Sequence, residues 1–390
     1  MRILHVYHIY PAIMGGVSTA VYQITKTLSK RGHEVDVLTT NAYFNGERRF
    51  ENEKGINVYR FMLFSERLSK QNIVMPNMEF VSWVKKMIRR YDCIHLHGYR
   101  NLYNIIIHHY ARKYGVPYIL QARGSLPRII TKRRLKWVYD IFVGYRLLRD
   151  ASKVIALTQT EAQQYRDMGV PEEKIAIIPN GIDLSEYTNL PPKRSFRKKF
   201  YVDDDKKIVL YLGRIHKIKG LDILVRAYAY VVNKLGVNNV LLVIAGADDG
   251  YLGELEELLS QLRMTNNVLL TGPLYGKDKL EAYVDADVFV LPSWYDTFPN
   301  VVLEAYACSK PVIASNVGSI SDIVLHGKTG LLFKPGNVQE LAEAIVHMLA
   351  HLEEARDMGH RARKLVEEKF SIDKVVESLE ALYEEILNGK

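Results

Sequence analysis

Apolar runs of strand length alternate with longer amphipathic segments along most of the chain. The runs at residues 2–7, 240–245 and 287–291 are rich in Val, Ile and Leu, as expected for parallel strands buried on both faces. Segments such as 221–235 repeat their apolar residues at helical spacing. This βαβα order predicts an α/β protein whose mostly parallel sheets are covered by helices on both faces.

The alternation occurs twice, with a break in between. In the first series, strands are predicted at 2–7, 33–38, 56–61, 92–97, 117–121, 153–157 and 175–178, and helices at 18–30, 78–90, 102–114 and 135–149. A polar segment at 41–54 is predicted to be mobile. In the second series, strands are predicted at 208–212, 240–245, 268–270, 287–291, 311–314 and 330–333, and the chain ends in helical segments at 337–350, 352–369 and 373–388.

Turn residues mark the break between the two series. Pro179-Asn180-Gly181 begins a polar tract that runs to Asp205 and contains Pro191-Pro192. Such a tract is typical of a linker, and 390 residues exceed what a single core usually holds. We therefore predict two doubly wound domains, 1–178 and a second one from 179, that face one another across a cleft.

Positive charge is concentrated in the amino-terminal half. Residues 1–178 hold 28 Lys and Arg against 14 Asp and Glu, whereas residues 179–390 hold 25 against 30. A basic half indicates an anionic partner on that side: a phosphorylated acceptor, an acidic lipid surface or nucleic acid. No nucleic-acid-binding motif accompanies this charge, so we expect no nucleic acid.

The chain has the features of a cytoplasmic protein. Cys93 and Cys308 lie far apart in predicted core positions, which indicates reduced thiols. No apolar run approaches the ~20 residues of a membrane span. Residues 1–7 are predicted to form a strand and not a signal peptide.

Candidate ligand-binding residues follow successive strands of the second series. They are Gly213, Arg214, Lys219, Gly246 and Leu274. In open parallel sheets, ligands bind beyond the carboxyl ends of the strands. Arg214 and Lys219 could bracket a diphosphate there, and the glycine-containing loops would let the backbone approach a base or a ribose.

The stretch from Ser293 to Ala305 is the candidate around which the others are arranged. It connects the strand at 287–291 to a helix, and a helix N-terminus suits an anionic group such as phosphate. Asp296 and Glu304 are better suited to accept hydrogen bonds from the hydroxyls of a sugar or ribose. The residues at the predicted helix start are Phe298, Pro299, Asn300 and Val301.

Three features of the first series are weaker candidates: turn geometry explains the first better, and core packing can explain the second. Gly15 and Gly16 precede a helix, but they do not complete a G-x-G-x-x-G motif. His97 alternates with apolar residues, and no Cys or Glu at metal spacing accompanies it, so we expect no metal site. Arg123 and Gly124 follow a predicted strand and could supply a cation or backbone donors.

The segment 128–149 mixes seven basic residues with four aromatic ones. Such a helix can lie on an anionic membrane or meet a phosphorylated acceptor. The favoured interpretation is nevertheless an ordinary surface helix whose aromatic side chains pack on the sheet.

In this order, the motifs resemble the retaining GT-B glycosyltransferases of family 4, also called group 1 glycosyltransferases. The resemblance covers almost the whole chain and is strongest from Pro179 to Phe333. Its markers are Gly15-Gly16, Pro179-Asn-Gly-Ile-Asp183, Gly213-Arg214 with Lys219-Gly220, and the run from Asp296 to Glu304, which is similar to the E-x7-E signature of that family.

The resemblance implies that the nucleotide-sugar donor is bound mainly by the second Rossmann-like domain (179–372) and the acceptor by the first. The last helix would return to the first domain, which then comprises 1–178 plus 373–390. Arg214 and Lys219 would neutralise the leaving diphosphate, with backbone help from Gly16 and 298–301. Glu304 would accept from the ribose and Asp296 from the transferred sugar, without a metal or other cofactor.

Two positions depart from the family pattern. Asp296 replaces a Glu that is one methylene longer, so the donor sugar or its distance is expected to differ. Arg123-Gly124 stands where many relatives have His-Gly, and an arginine cannot act as a base at neutral pH. An acidic group on the donor or acceptor is one explanation for Arg123, and His97 is a separate candidate for contact with the sugar.

The function predicted from this resemblance is the transfer of a hexose, with retention of configuration, to a glycan, a lipid-linked acceptor or a small molecule. A starch- or glycogen-type synthase, or a non-catalytic nucleotide-sugar-binding protein, remains an alternative. The predicted location is the cytoplasm, with peripheral contact to the inner face of the membrane through 128–149.

Overall fold

The computed structural model describes residues 1–10, 15–41, 50–62, 76–128 and 133–389, and it divides into two compact units. The first unit comprises Met1–Gly181 and Ile372–Lys390, and the second comprises Ile182–Ser371. Each unit is an α/β layer structure built on a largely parallel sheet, so the predicted fold class is confirmed.

In the described part of the first unit, one sheet has the strand order β3-β4-β2-β1-β5-β6-β7-β8. The strands are β1 (Arg2–Val6), β2 (Glu34–Thr40), β3 (Phe50–Glu53), β4 (Ile56–Phe61), β5 (Cys93–His97), β6 (Tyr118–Gln121), β7 (Lys153–Ala156) and β8 (Ile175–Ile177). All neighbouring pairs are parallel except β3 and β4. Apolar side chains cover both faces of this sheet, as the continuous apolar runs predict.

The helices of the first unit connect these strands and pack on the two faces of the sheet. They are α1 (Gly16–Lys30), α2 (Met78–Met87), α3 (Leu102–Tyr114), α4 (Arg133–Tyr139), α5 (Tyr145–Asp150), α6 (Gln159–Asp167) and the carboxyl-terminal helix, α14 (Ile372–Asn388). Local signals fix several ends: the Asn77 side chain accepts from the Phe80 amide at the start of α2, and Gly115 ends α3 in a left-handed conformation.

The second unit has a six-stranded sheet in the order β11-β10-β9-β12-β13-β14, in which every pair is parallel. The strands are β9 (Lys207–Leu212), β10 (Val240–Ala245), β11 (Val268–Gly272), β12 (Val288–Leu291), β13 (Val312–Ser315) and β14 (Gly330–Phe333). The helices are α7 (Ser195–Lys199), α8 (Leu221–Asn233), α9 (Leu252–Gln261), α10 (Gly276–Asp285), α11 (Asn300–Ala307), α12 (Val338–Ala350) and α13 (Leu352–Leu365).

The prediction of a mobile segment at 41–54 is wrong for its described end. Strand β3 pairs there with β4 as an antiparallel edge strand, and the Asn52 side chain donates to Asn57 (2.9 Å). Strand β3 contains one apolar residue, Phe50, followed by three polar ones, so the sequence shows no strand pattern, and backbone pairing decides the structure. Residues 42–49 lie outside the described part of the chain.

Several further elements differ from the prediction. A short helix, Ser195–Lys199, lies inside the predicted linker tract, and the predicted helix at 352–369 ends in a π-helical turn, Val366–Phe370. Helix α6 has few apolar residues and was not predicted, but the Thr158 side chain caps its start by accepting from the Glu161 amide (3.2 Å). The predicted helix at 135–149 is interrupted by a π-helical turn, Asp140–Gly144. Cys93 and Cys308 are buried and form no disulfide. No helix among the described residues is both long and apolar enough to cross a bilayer.

Candidate active site

The loops that follow β9 and β10 lie side by side because these strands are hydrogen-bonded neighbours. The Gly213 amide donates to the Ala245 carbonyl (3.0 Å), and the Gly246 amide donates to the Gly272 carbonyl (2.9 Å). A Cβ atom on Gly246 would overlap the carbonyl oxygen of Gly213. The sequence therefore needs a glycine at 246 for these two loops to run together at the carboxyl end of the sheet.

A tight turn brings Lys219 towards the loop after β12. Residues Lys217–Lys219 form a 3₁₀ turn that ends at Gly220, whose φ of 66° lies in the left-handed region. A Cβ atom on Gly220 would overlap the carbonyl oxygen of Pro292, and the Trp294 amide donates to the Ile218 carbonyl (2.8 Å). These contacts fix the two loops against each other.

Lys219 and Asp296 form an ion pair at this point. The Lys219 Nζ atom lies 2.6 Å from the Asp296 Oδ2 atom, and their side chains are only 18% and 13% exposed. A lysine ammonium has three N–H donors, so the group that binds Asp296 can still donate to a second anion. The structure thus brings together two residues that the sequence assigned separately to diphosphate and sugar.

Glu304 lies one turn into α11 and is held through both carboxylate oxygens. Lys279 Nζ lies 2.8 Å from Glu304 Oε1, and Tyr283 Oη donates to Glu304 Oε2 (3.1 Å). Burial, and secondly the negative charge of Glu304, raise the pKa of Tyr283 well above its usual value, so the phenol stays a donor. Lys279 and Tyr283 were not predicted as site residues, although their i, i+4 spacing on a predicted helix puts them on one face.

The other candidate site residues of the second unit differ in how far their side chains are exposed. Arg214 is 60% exposed and forms a short ion pair with Asp249, a partner that was not predicted. Helix α11 begins at Asn300, directly after Pro299. Phe298 and Leu274 are almost fully buried.

In the first unit, His97 and Arg123 belong to a buried polar network. Arg123 Nε donates to His97 Nδ1 (3.2 Å), and Arg123 Nη1 donates to Asn180 Oδ1 (2.7 Å). Because His97 accepts at Nδ1, its proton is on Nε2, which donates to His5 Nδ1 (3.0 Å). Burial, followed by His95 and Arg123, holds the pKa of His97 well below its usual value, so the ring is neutral. The predicted contacts of His97 and Arg123 with a sugar stay predictions.

Gly124 and the Gly15-Gly16 pair have defined conformations within the same unit. The Gly124 amide donates to Glu161 Oε1 (2.6 Å), and the Leu157 amide donates to Glu161 Oε2 (2.8 Å). The capping pattern Thr158-x-x-Glu161 could have identified this carboxylate. Gly15, with φ 88°, precedes α1, which begins at Gly16.

Within the described residues, two groups of three side chains have the spacing of metal ligands. One is His5, His95 and His97, and the other is His347, His351 and Glu354. The first group lies beside the Arg123 guanidinium, whose charge opposes a cation. Lys219, Asp296 and Glu304 belong to neither group.

Comparisons with known proteins match both halves of the chain. The family model described as glycosyl transferases group 1 matches residues 192–365, and the model described as glycosyltransferase family 4 matches residues 14–186. An uncharacterized glycosyltransferase of Methanocaldococcus jannaschii is 30% identical over 387 residues, covering 96% of this chain and 95% of its own. A D-inositol 3-phosphate glycosyltransferase of Geodermatophilus obscurus is 28% identical, covering 95% and 84%.

Solved structures share the fold over the whole chain. Sucrose-phosphate synthase from Thermosynechococcus elongatus has a TM-score of 0.81 at 23% identity and full coverage of both chains. HepE from Anabaena in complex with UDP-glucose has a TM-score of 0.78 at 22% identity, covering 98% of this chain and 99% of its own. The GT-B fold that the sequence resemblance implied is thereby confirmed.

Proposed function

Because the chain belongs to the group 1, family 4 glycosyltransferases, we propose that it transfers a hexose from a nucleoside-diphosphate sugar, with retention of configuration and without a metal. One observation carries the proposal. Lys219 and Asp296 form a largely buried ion pair at the carboxyl end of the second sheet, where the turn after β9 meets the loop that leads to Glu304 and α11. Ligands of open parallel sheets bind at that end.

The donor-binding roles follow from the charges at this end of the sheet. As the bond between the sugar and the diphosphate breaks, negative charge grows on the phosphate oxygen, and the Lys219 ammonium stabilises it. Arg214 adds a second cation when it exchanges Asp249 for phosphate. Asp296, released in part from Lys219, accepts from sugar hydroxyls, and Glu304, oriented by Lys279 and Tyr283, accepts from the ribose.

The transfer step needs no protein nucleophile. The acceptor hydroxyl oxygen forms the new bond to the anomeric carbon on the face from which the diphosphate leaves, and its proton passes to the departing phosphate oxygen. The products are the glycosylated acceptor and the nucleoside diphosphate. Attack on that face accounts for retention of configuration.

The donor is best sought among uridine diphosphate hexoses, because HepE, which shares the fold, has been crystallised in complex with UDP and with UDP-glucose. The acceptor is best sought among anionic small molecules. Relatives are named for D-inositol 3-phosphate and L-malate as acceptors, and residues 1–178 of this chain have 28 basic against 14 acidic residues.

The test is a donor and acceptor screen by release of the nucleoside diphosphate, with the anomeric configuration of the product read by NMR and chelator present throughout. Lys219→Ala and Glu304→Ala should each lower turnover by orders of magnitude while the protein still folds. Lys217→Ala is the matched control. Lys217 belongs to the same turn, but it is 76% exposed and its ion pair with Glu254 is long, at 3.7 Å. Full activity of either site variant, or strict dependence on a divalent cation, would overturn the proposal.

A further inference from the structure

The outer surface of residues 133–149, which we call the basic-aromatic face, exposes an unusual amount of apolar side chain. Phe142 is 75% exposed, Leu135 58% and Trp137 52%. The apolar members of the face are Leu135, Trp137, Val138, Ile141, Phe142 and Tyr145. Contiguous exposed apolar residues of this kind mark an interaction surface, whereas single ones are ordinary.

Only some of the aromatic residues of this segment turn inward, whereas on an ordinary surface helix all of them would pack on the sheet. Tyr139 does turn inward, and its ring lies 5.9 Å from that of Tyr99. Trp137 and Phe142 point to solvent instead. The sequence left both arrangements open, and the structure assigns the outward one to these two side chains.

The π-helical turn keeps the exposed residues on one side. They are residues 133–135 and then pairs at a spacing of four (137/138, 141/142, 145/146), followed by 149. A regular α-helix of 3.6 residues per turn would rotate this repeat around its axis, and the wider turn at Asp140–Gly144 offsets part of that rotation. Two inward contacts fix the turn: Asp140 binds Arg100 and Arg128 (both 2.7 Å), and Gly144 lies against the Tyr99 hydroxyl.

The exposed charged side chains of the basic-aromatic face are positive. Arg133, Arg134, Arg146 and Arg149 are exposed. Asp140 is fully buried between arginines, and Asp150 contacts His108, Arg112 and also Arg149 of the face (3.2 Å). Arg133, Arg134 and Arg146 therefore supply most of the positive charge of the face. Arginines around an apolar centre that contains Trp and Tyr match the headgroup region of an anionic bilayer, where the cations meet phosphates and the rings enter the interface.

We propose that the basic-aromatic face binds an anionic lipid bilayer and holds the protein at its surface. Two signals act together there: the apolar side chains insert to a shallow depth, and the arginines supply electrostatic attraction. The inference does not depend on the identity of the donor or acceptor, and it can fail while the transferase proposal stands.

The experiment is co-sedimentation of the full chain with phosphatidylcholine vesicles that contain, or lack, about a third phosphatidylglycerol. We expect binding to the anionic vesicles only, falling steeply with salt, because surface charges are screened over about 8 Å at physiological ionic strength. Trp137→Ser/Phe142→Ser and, separately, Arg134→Gln/Arg146→Gln should each lower the partition coefficient roughly tenfold or more, given the contribution of each inserted ring and each arginine.

Matched variants elsewhere in the first unit show whether vesicle binding is specific to this face or is nonspecific. Met78→Ser removes another exposed apolar side chain (80% exposed), and Lys85→Gln/Lys86→Gln removes the same charge from α2. Both should bind vesicles like the parent, and release of nucleoside diphosphate in detergent-free buffer should be equal in all variants. Equal vesicle binding by face and control variants overturns the proposal. The proposal is also overturned if the parent does not bind anionic vesicles. In that case, light scattering would show whether the face mediates dimerisation instead.

Discussion

Replacing Lys219 with Ala tests the central ion pair most directly, because it separates catalysis from folding. The substitution removes the cation 2.6 Å from Asp296 and leaves that carboxylate, 13% exposed, without this partner. An unsatisfied buried acceptor costs about 1–3 kcal/mol of unfolding free energy, and the remaining exposure favours the lower end. Loss of one preorganised charge from a transition state costs roughly 100- to 1,000-fold in kcat.

The two effects can be told apart with a second substitution. Asp296→Asn in the Lys219→Ala background removes the unpaired charge, so the melting temperature should recover. Turnover should not recover, because the cation that stabilises the leaving diphosphate is still missing. Release of nucleoside diphosphate at saturating donor, measured beside thermal melts of parent, single and double variants and Lys217→Ala, gives both quantities. The reasoning is refuted if activity returns together with stability, since Lys219 would then act only as a structural partner of Asp296.

Three further predictions concern residues within one unit or the other. Tyr283→Phe removes the donor to Glu304, worth about 1 kcal/mol, so KM for the donor should rise roughly fivefold with little change in kcat; a donor whose ribose lacks its hydroxyls should show no such difference. Gly220→Ala forces a side chain into a left-handed conformation against Pro292, which costs at least about 1–2 kcal/mol, so the melting temperature should fall by several degrees, whereas Gly253→Ala, with open space around it, should not lower it. Burial lowers the pKa of His5 to about 3 and that of His95 and His97 well below 6.5; their neutral forms therefore stabilise the fold fully above pH 6.5, and stability should fall by about 1.4 kcal/mol per histidine for each pH unit below it. A melting temperature that is flat between pH 7.5 and 5.5 would contradict this assignment.

The fold was largely predictable because buried parallel strands and amphipathic helices have strong periodic patterns. Val240–Ala245 and Gly330–Phe333 were located to the residue. Elements that depend on single contacts were not: the edge strand β3 forms by backbone pairing, α6 by a cap at Thr158, and the π-helical turn through the ion pairs of Asp140.

The candidate site was predictable in its position but not in its contacts. Strand order and glycine positions indicate which loops share the carboxyl end of the sheet, and Gly213, Gly220 and Gly246 were identified in this way. The pairing of Lys219 with Asp296, and of Glu304 with Lys279 and Tyr283, depends on distances between residues that are 21 to 77 positions apart in sequence. No local pattern encodes such distances.

The return of the last helix to the first unit has a consequence for biosynthesis. Helix α14 supplies Val375, Leu379 and Tyr383 to the core that also contains Ile3 and Val35. The second unit, by contrast, is one uninterrupted stretch, Ile182–Ser371. On the ribosome, the second unit can therefore complete its core first, while the first unit waits for helix α14 to emerge. A stop codon just before residue 372 would leave the core of the first unit incomplete and that of the second intact.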